Sequence, residues 1–76
     1  MVLRIITEWK NGQRHQAATN TTAQTGRYLL ASMRTQDGAH FPLREVKNGY
    51  QYDTPHQYCG SSGAATTTVT LERGWK

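Results

Sequence analysis

Apolar and polar positions alternate from Val2 to Trp9, with Leu3, Ile5, Thr7 and Trp9 on one side of an extended chain and Val2, Arg4, Ile6 and Glu8 on the other. The pattern predicts a strand. Lys10-Asn11-Gly12-Gln13 follows, and Asn-Gly predicts a type I′ hairpin, because both residues tolerate positive φ. A short return strand over residues 13–17 is expected, although it carries little apolar content.

The period then changes. Asn20-Thr21-Thr22 offers side-chain oxygens to otherwise unpaired first-turn amides, and Asp37-Gly38 offers a left-handed stop, so one helix is expected between them. At about 100° per residue, Gly26, Leu29, Leu30 and Met33 share a face that Thr22 and Ala23 extend. Arg27 and Arg34 flank this stripe on its Leu30 side with Ala31 between them, while Tyr28 and Ser32 look outward. Glycine inside a helix costs about 1 kcal/mol against alanine, so Gly26 is expected to mark close packing on a sheet.

Alternation returns over residues 39–47, with Ala39, Phe41 and Leu43 inward; Pro42 on the opposite face assigns this strand to an edge or a bulge. Asn48-Gly49 predicts a second hairpin turn, and residues 50–53 a returning strand with Tyr50 and Tyr52 on one face. Residues 54–64, rich in Pro, Gly and Ser, read as a long loop. Residues 65–72 close the pattern as a strand with Thr67, Val69 and Leu71 inward and Thr66, Thr68 and Thr70 outward, followed by a tail over residues 73–76. The expected fold is α+β: a two-layer sandwich, one helix packed on a mainly antiparallel sheet of four to five strands, forming a single domain over residues 1–76.

Composition narrows the function. A chain of 76 residues has room for one domain and no deep active-site cleft, and 36% hydrophobic with 18% charged residues describe a folded globule. Its one cysteine, Cys59, cannot form an internal disulfide, which points to a reducing compartment. Without a signal-peptide run or the roughly 20 apolar residues of a membrane span, a cytoplasmic protein is expected, with no membrane partner.

Reactive groups are sparse. His56 and Cys59 have a ligand-like spacing, but zinc needs four ligands, and only His15 and His40, in other elements, remain to complete the set. A Cys59 nucleophile served by His56 or His40 is the enzymatic alternative, lacking a carboxylate or helix N-terminus beside it. Glu8, Asp37, Glu45, Asp53 and Glu72 are scattered rather than paired. Gly60 and Gly63 lead into a threonine-rich strand instead of the helix a phosphate-cradling loop requires. No cofactor, no metal and no catalytic activity are expected.

Charge is the informative feature. Residues 9–36 carry Lys10, Arg14, Arg27 and Arg34 with His15 and no acid; all five acidic residues lie elsewhere, and the net charge is +4. If the first hairpin lies beside the helix, these four cations form one basic surface next to Trp9 or Tyr28, suited to phosphates, stacked bases or acidic protein patches. The alternative is a set of solvated side chains that keep the domain soluble. Arg44 belongs to a second candidate surface, the outward sheet face with Arg4, Ile6, His40, Val46 and the threonine row, where Ile6 and Val46 exposed together suit a partner or a homodimer. The candidate contact residues are therefore Trp9, Lys10, Arg14, Arg27, Tyr28, Arg34 and Arg44.

Through its segments Leu3-Arg4-Ile5-Ile6-Thr7-Glu8, Arg27-Tyr28-Leu29-Leu30-Ala31-Ser32 and Leu43-Arg44-Glu45-Val46-Lys47-Asn48-Gly49-Tyr50, the layout resembles small phage-encoded inhibitors of bacterial defence, the anti-CRISPR proteins. These inhibitors share no common motif, so the resemblance transfers no residue role. It implies a non-enzymatic inhibitor that occludes the surface of a nucleic-acid-handling complex, with or without contact to its guide RNA or target DNA. The chain departs from the acidic DNA mimics among them, since a net charge of +4 cannot imitate DNA.

Overall fold

Strict alternation is clearest in the strand that organises the sheet, Ala65–Leu71, where Ala65, Thr67, Val69 and Leu71 are buried and the three residues between them are half-exposed. In the computed structural model, which describes residues 1–75, this strand (β7) lies at the centre of five. The first strand, β1 (Val2–Trp9), and the returning strand, β2 (Arg14–Asn20), flank it on one side; β6 (Gly49–Thr54) and β5 (Arg44–Val46) flank it on the other. The order is β2-β1-β7-β6-β5, with every neighbouring pair antiparallel. Register puts Leu3 opposite Leu71, Ile5 opposite Val69, and Val69 opposite Tyr50, so one face collects the apolar side chains.

That face packs against α1 (Ala23–Met33). Of the three capping candidates Thr22 is the one used, its Oγ1 accepting the Thr25 N–H at 3.2 Å. Gly26 and Leu30 are the buried helix residues. A Cβ on Gly26 would stand 3.1 Å from Trp75 Cζ3 and 3.6 Å from Leu3 Cδ1, which is the close packing expected of that glycine. Leu3, Leu30, Phe41, Tyr52, Val69, Leu71 and Trp75 make the core.

The α+β class and the antiparallel sheet agree with the sequence reading; several elements differ. The first hairpin is a three-residue loop in which the Gly12 N–H donates to Trp9 O at 3.0 Å and Gly12 alone takes positive φ, 93°, and β2 runs to Asn20 instead of residue 17. The helix stops at Met33: Thr35 Oγ1 donates to Ala31 O at 2.9 Å, and the Phe41 N–H donates to Arg34 O at 3.0 Å. Asp37 and Gly38, both at positive φ (50° and 80°), turn a separate hairpin of β3 (Thr35–Gln36) and β4 (Ala39–His40). The expected strand over residues 39–47 is thus broken. Pro42 offers no N–H for a continuing ladder, and Phe41 turns into the core between β4 and β5.

A second helix, α2 (His56–Cys59), and a 3₁₀ turn (Gly60–Ser62) occupy the expected loop. Leu29, placed on the core stripe by periodicity, is 38% exposed. Trp75, placed in a tail, is buried, its Nε1 donating to Asn48 O at 3.0 Å and its ring edge-on to Tyr50. No helix among the described residues is long and apolar enough to cross a membrane.

In the second hairpin the positive φ falls on Asn48, at 62°, and Gly49 is already strand, paired with Val46 and Thr70. Its glycine serves close approach: a Cβ there would overlap the Val69 carbonyl oxygen and lie 2.8 Å from Thr70 Cα. Gly49→Ala should therefore destabilise the fold by about 3 kcal/mol, a fall in Tm on the order of 15 °C for a domain of this size. Gly12→Ala meets no atom within 4 Å and bears only backbone strain, about 1 kcal/mol. Thermal melts of both variants compare the two causes, and equal shifts would refute the close-approach account of Gly49.

Candidate functional site

Helix periodicity sets Arg27 and Arg34 on one flank of α1, roughly 10 Å apart along its axis, and the helix lies so that this flank faces β5 and β6. There the two arginines border a groove of about 250 Å³ with Leu30, Ala31, Leu43 and Tyr50. Past Arg27 and Tyr50 it continues into a second hollow of about 270 Å³ with Glu45, Val46, Gly49 and Trp75. Both guanidinium groups are tethered to main chain: Arg27 Nη2 donates to Trp75 O, and Arg34 Nη1 to Phe41 O at 3.4 Å. Among the described residues neither has a carboxylate within ion-pair distance. The result is an apolar floor, one aromatic edge and two positioned cations with unused donors.

The other sequence candidates are elsewhere. By strand alternation Arg14 is opposite Glu8 on the outer face of the sheet, away from α1. Arg44 shares that face and is engaged: Nη1 lies 2.6 Å from Asp53 Oδ2, and Nη2 donates to Gln51 Oε1 at 2.8 Å. Lys10 borders a hollow with Asp53, Pro55 and Thr66. Trp9 lines a cavity of about 460 Å³ at another corner, with Met33, Tyr52, Tyr58 and Cys59. Tyr28 is 67% exposed on the back of the helix, its hydroxyl taking a bond from Gln24 Nε2.

The single basic surface expected from the sequence is therefore not formed. Alternation commits Arg14 and Arg44 to the sheet face opposite the helix, and only Arg27 and Arg34 come together. Tyr50 stands where Tyr28 was expected, and Leu43 and Trp75 complete a site that charge alone did not reveal. On the outer face Ile6 and Val46 are not neighbours, since β7 and β6 separate their strands; His40 leaves that face for the β3–β4 hairpin.

The Cys59 thiol donates to Thr54 O at 3.6 Å, and His40 Nδ1 lies 3.3 Å from Thr35 Oγ1, so each bonds to a group other than its expected partner. Among the described residues no three His, Cys, Asp or Glu side chains converge as a metal centre requires. No protein-family profile matches the chain, and no curated protein or solved structure shows significant similarity to it.

Asp53 is the hub of the outer face, accepting from Arg44 and, at 2.8 Å, from Thr66 Oγ1, while Gln51 Nε2 donates to Thr68 Oγ1 at 3.0 Å. The bond from Arg44, then that from Thr66, holds its carboxyl below the ordinary 3.8. A folded-state pKa depressed below the unfolded one contributes stability that is complete above the ordinary aspartate range and is lost as pH falls through the depressed value. Asp53→Asn should lose a little stability at neutral pH and show a shallower decline of Tm in acid below the ordinary aspartate range. The pair is solvent-exposed, so the difference should shrink in high salt. Superimposable acid profiles for the two proteins would exclude Asp53 from this role.

Proposed function

We propose that this chain is a non-enzymatic binding module of two layers, α1 over one sheet face and the other face open, that engages nucleic acid or a protein complex handling it. The observation that carries this reading is the groove in which Arg27 and Arg34, bonded to main-chain carbonyls and without a carboxylate partner among the described residues, flank Tyr50 over an apolar floor. A guanidinium pair beside an aromatic edge meets phosphate oxygens and a base or apolar side chain at once. In line with the resemblance to anti-CRISPR proteins, the module acts by occluding the surface of a host defence effector, in the nucleic-acid-containing cytoplasm, where Cys59 remains reduced.

Two phosphate contacts set a quantitative expectation. For single strands the logarithmic salt slope is about −0.7 per contact, so the slope should be near −1.4, with affinity falling about sevenfold between about 50 and 200 mM salt. Arg27→Glu with Arg34→Glu should abolish both the binding and the slope in fluorescence anisotropy with labelled single-stranded RNA or DNA, while Arg14→Glu on the opposite face should leave them unchanged. If the partner is the protein component, the same double variant loses capture of the effector complex from bacterial lysate at constant salt. Unchanged binding and unchanged capture by the double variant would overturn the assignment.

A further inference from the structure

The two edges of the sheet are unequal. β5 spans three residues behind Pro42, whereas β2 spans seven, all exposed, with no proline, glycine or acidic residue. Long edges without such protection are templates for another strand.

The ladder fixes which groups are on offer. Trp9 N–H donates to Gln13 O at 2.9 Å and Thr21 N–H to Met1 O at 2.8 Å, so between these two pairs His15, Ala17 and Thr19 turn their main-chain groups toward β1. Arg14, Gln16, Ala18 and Asn20 therefore direct their N–H and C=O groups outward.

We propose that a second copy of this chain pairs antiparallel with β2 about a two-fold axis at Ala17. In this register Arg14 faces Asn20 of the second copy and Gln16 faces Ala18, each pair exchanging two main-chain hydrogen bonds, so every outward group named above is satisfied. Ala17 faces its own equivalent in a non-hydrogen-bonded pair, and His15 faces Thr19.

Charge favours the same register. Each Arg14 meets a neutral asparagine, and the two arginines stand at opposite ends of the joined strands, roughly 20 Å apart, beyond the screening length of about 8 Å at physiological salt. Pairing β2 with β5 of another copy would use only three residues, so closure by the two-fold prevails over an open filament. The inference does not depend on what fills the arginine groove.

Cross-linking tests the axis directly. In a Cys59→Ser background, Ala17→Cys should oxidise to a disulfide-linked dimer, because facing Cα atoms of a non-hydrogen-bonded pair lie about 4.5 Å apart, within disulfide range. Thr19→Cys in the same background should form no disulfide-linked dimer, each cysteine lying roughly 13 Å from its equivalent. Sedimentation of the unmodified protein should show mass doubling with concentration. Ala18→Pro, which removes an outward N–H and leaves the β1 ladder intact, should suppress it. Equal cross-linking by both cysteine variants would overturn the proposal. So would a monomer up to about 1 mM with no cross-link, the result expected if the edge takes a strand of another protein instead.

Discussion

One short helix has to cover the apolar face of a five-stranded sheet. Eleven residues of α-helix reach about 16 Å and, with side chains, are about 10 to 12 Å across; five strands span roughly 19 Å between their outer axes. The helix cannot cover that width, and the rest of the structure follows from the shortfall. Leu3, Val69 and Leu71, in neighbouring strands β1 and β7, are fully enclosed. Remaining cover comes from segments without long regular structure: Phe41 between two short strands, Tyr58 in α2 and Trp75 past the last strand. β2 receives none and is exposed along its whole length. The groove at the Arg27–Arg34 flank is the gap left between helix and sheet edge on the β5–β6 side.

Features set by near neighbours in the chain were readable beforehand. The strands Val2–Trp9 and Ala65–Leu71 alternate because each has one buried face, and Thr22 caps α1 through a bond three residues away. Gly26 was legible for a related reason, since glycine in a helix interior is costly unless something packs against it. What packs there, Trp75, was not, because a ring 49 positions downstream leaves no mark on the local pattern. Asp37-Gly38 is ambiguous at the level of sequence: one dipeptide suits a helix stop and a two-residue hairpin. The outcome depends on Phe41 bonding back to Arg34, a contact that local pattern does not specify.

The candidate site was legible to a similar degree. Segregation of positive charge is a property of composition, but the side of the sheet on which each cation falls depends on where the helix packs. Arg27 and Arg34 share a helix flank by periodicity alone. Arg14 and Arg44 obey the strand period, which sends them to the other face; there Arg44 binds Asp53 and Gln51 and ties β5 to β6. One residue type thus serves two purposes. An arginine satisfied by a carboxylate holds two strands together, and an arginine bonded among the described residues only to a carbonyl keeps the spare donors that the proposed function would use.

As the anion site proposed above, a two-arginine groove would be weak by itself, and the unequal sheet edges bear on that weakness. An axis perpendicular to the joined sheet at Ala17 keeps the helix-bearing faces of both copies on one side. Counting strands outward through β2, β1 and β7 to β6, the two grooves would lie roughly 34 Å apart, both opening on the same face of a ten-stranded sheet. A partner long enough to reach both meets the second groove at an effective concentration set by that span, and avidity can exceed single-site affinity by about 10² to 10⁴ without a new contact. A partner shorter than the span gains nothing. If both proposals hold, the bare edge that one helix leaves uncovered would favour extended partners with repeated negative charge, a property of nucleic acids.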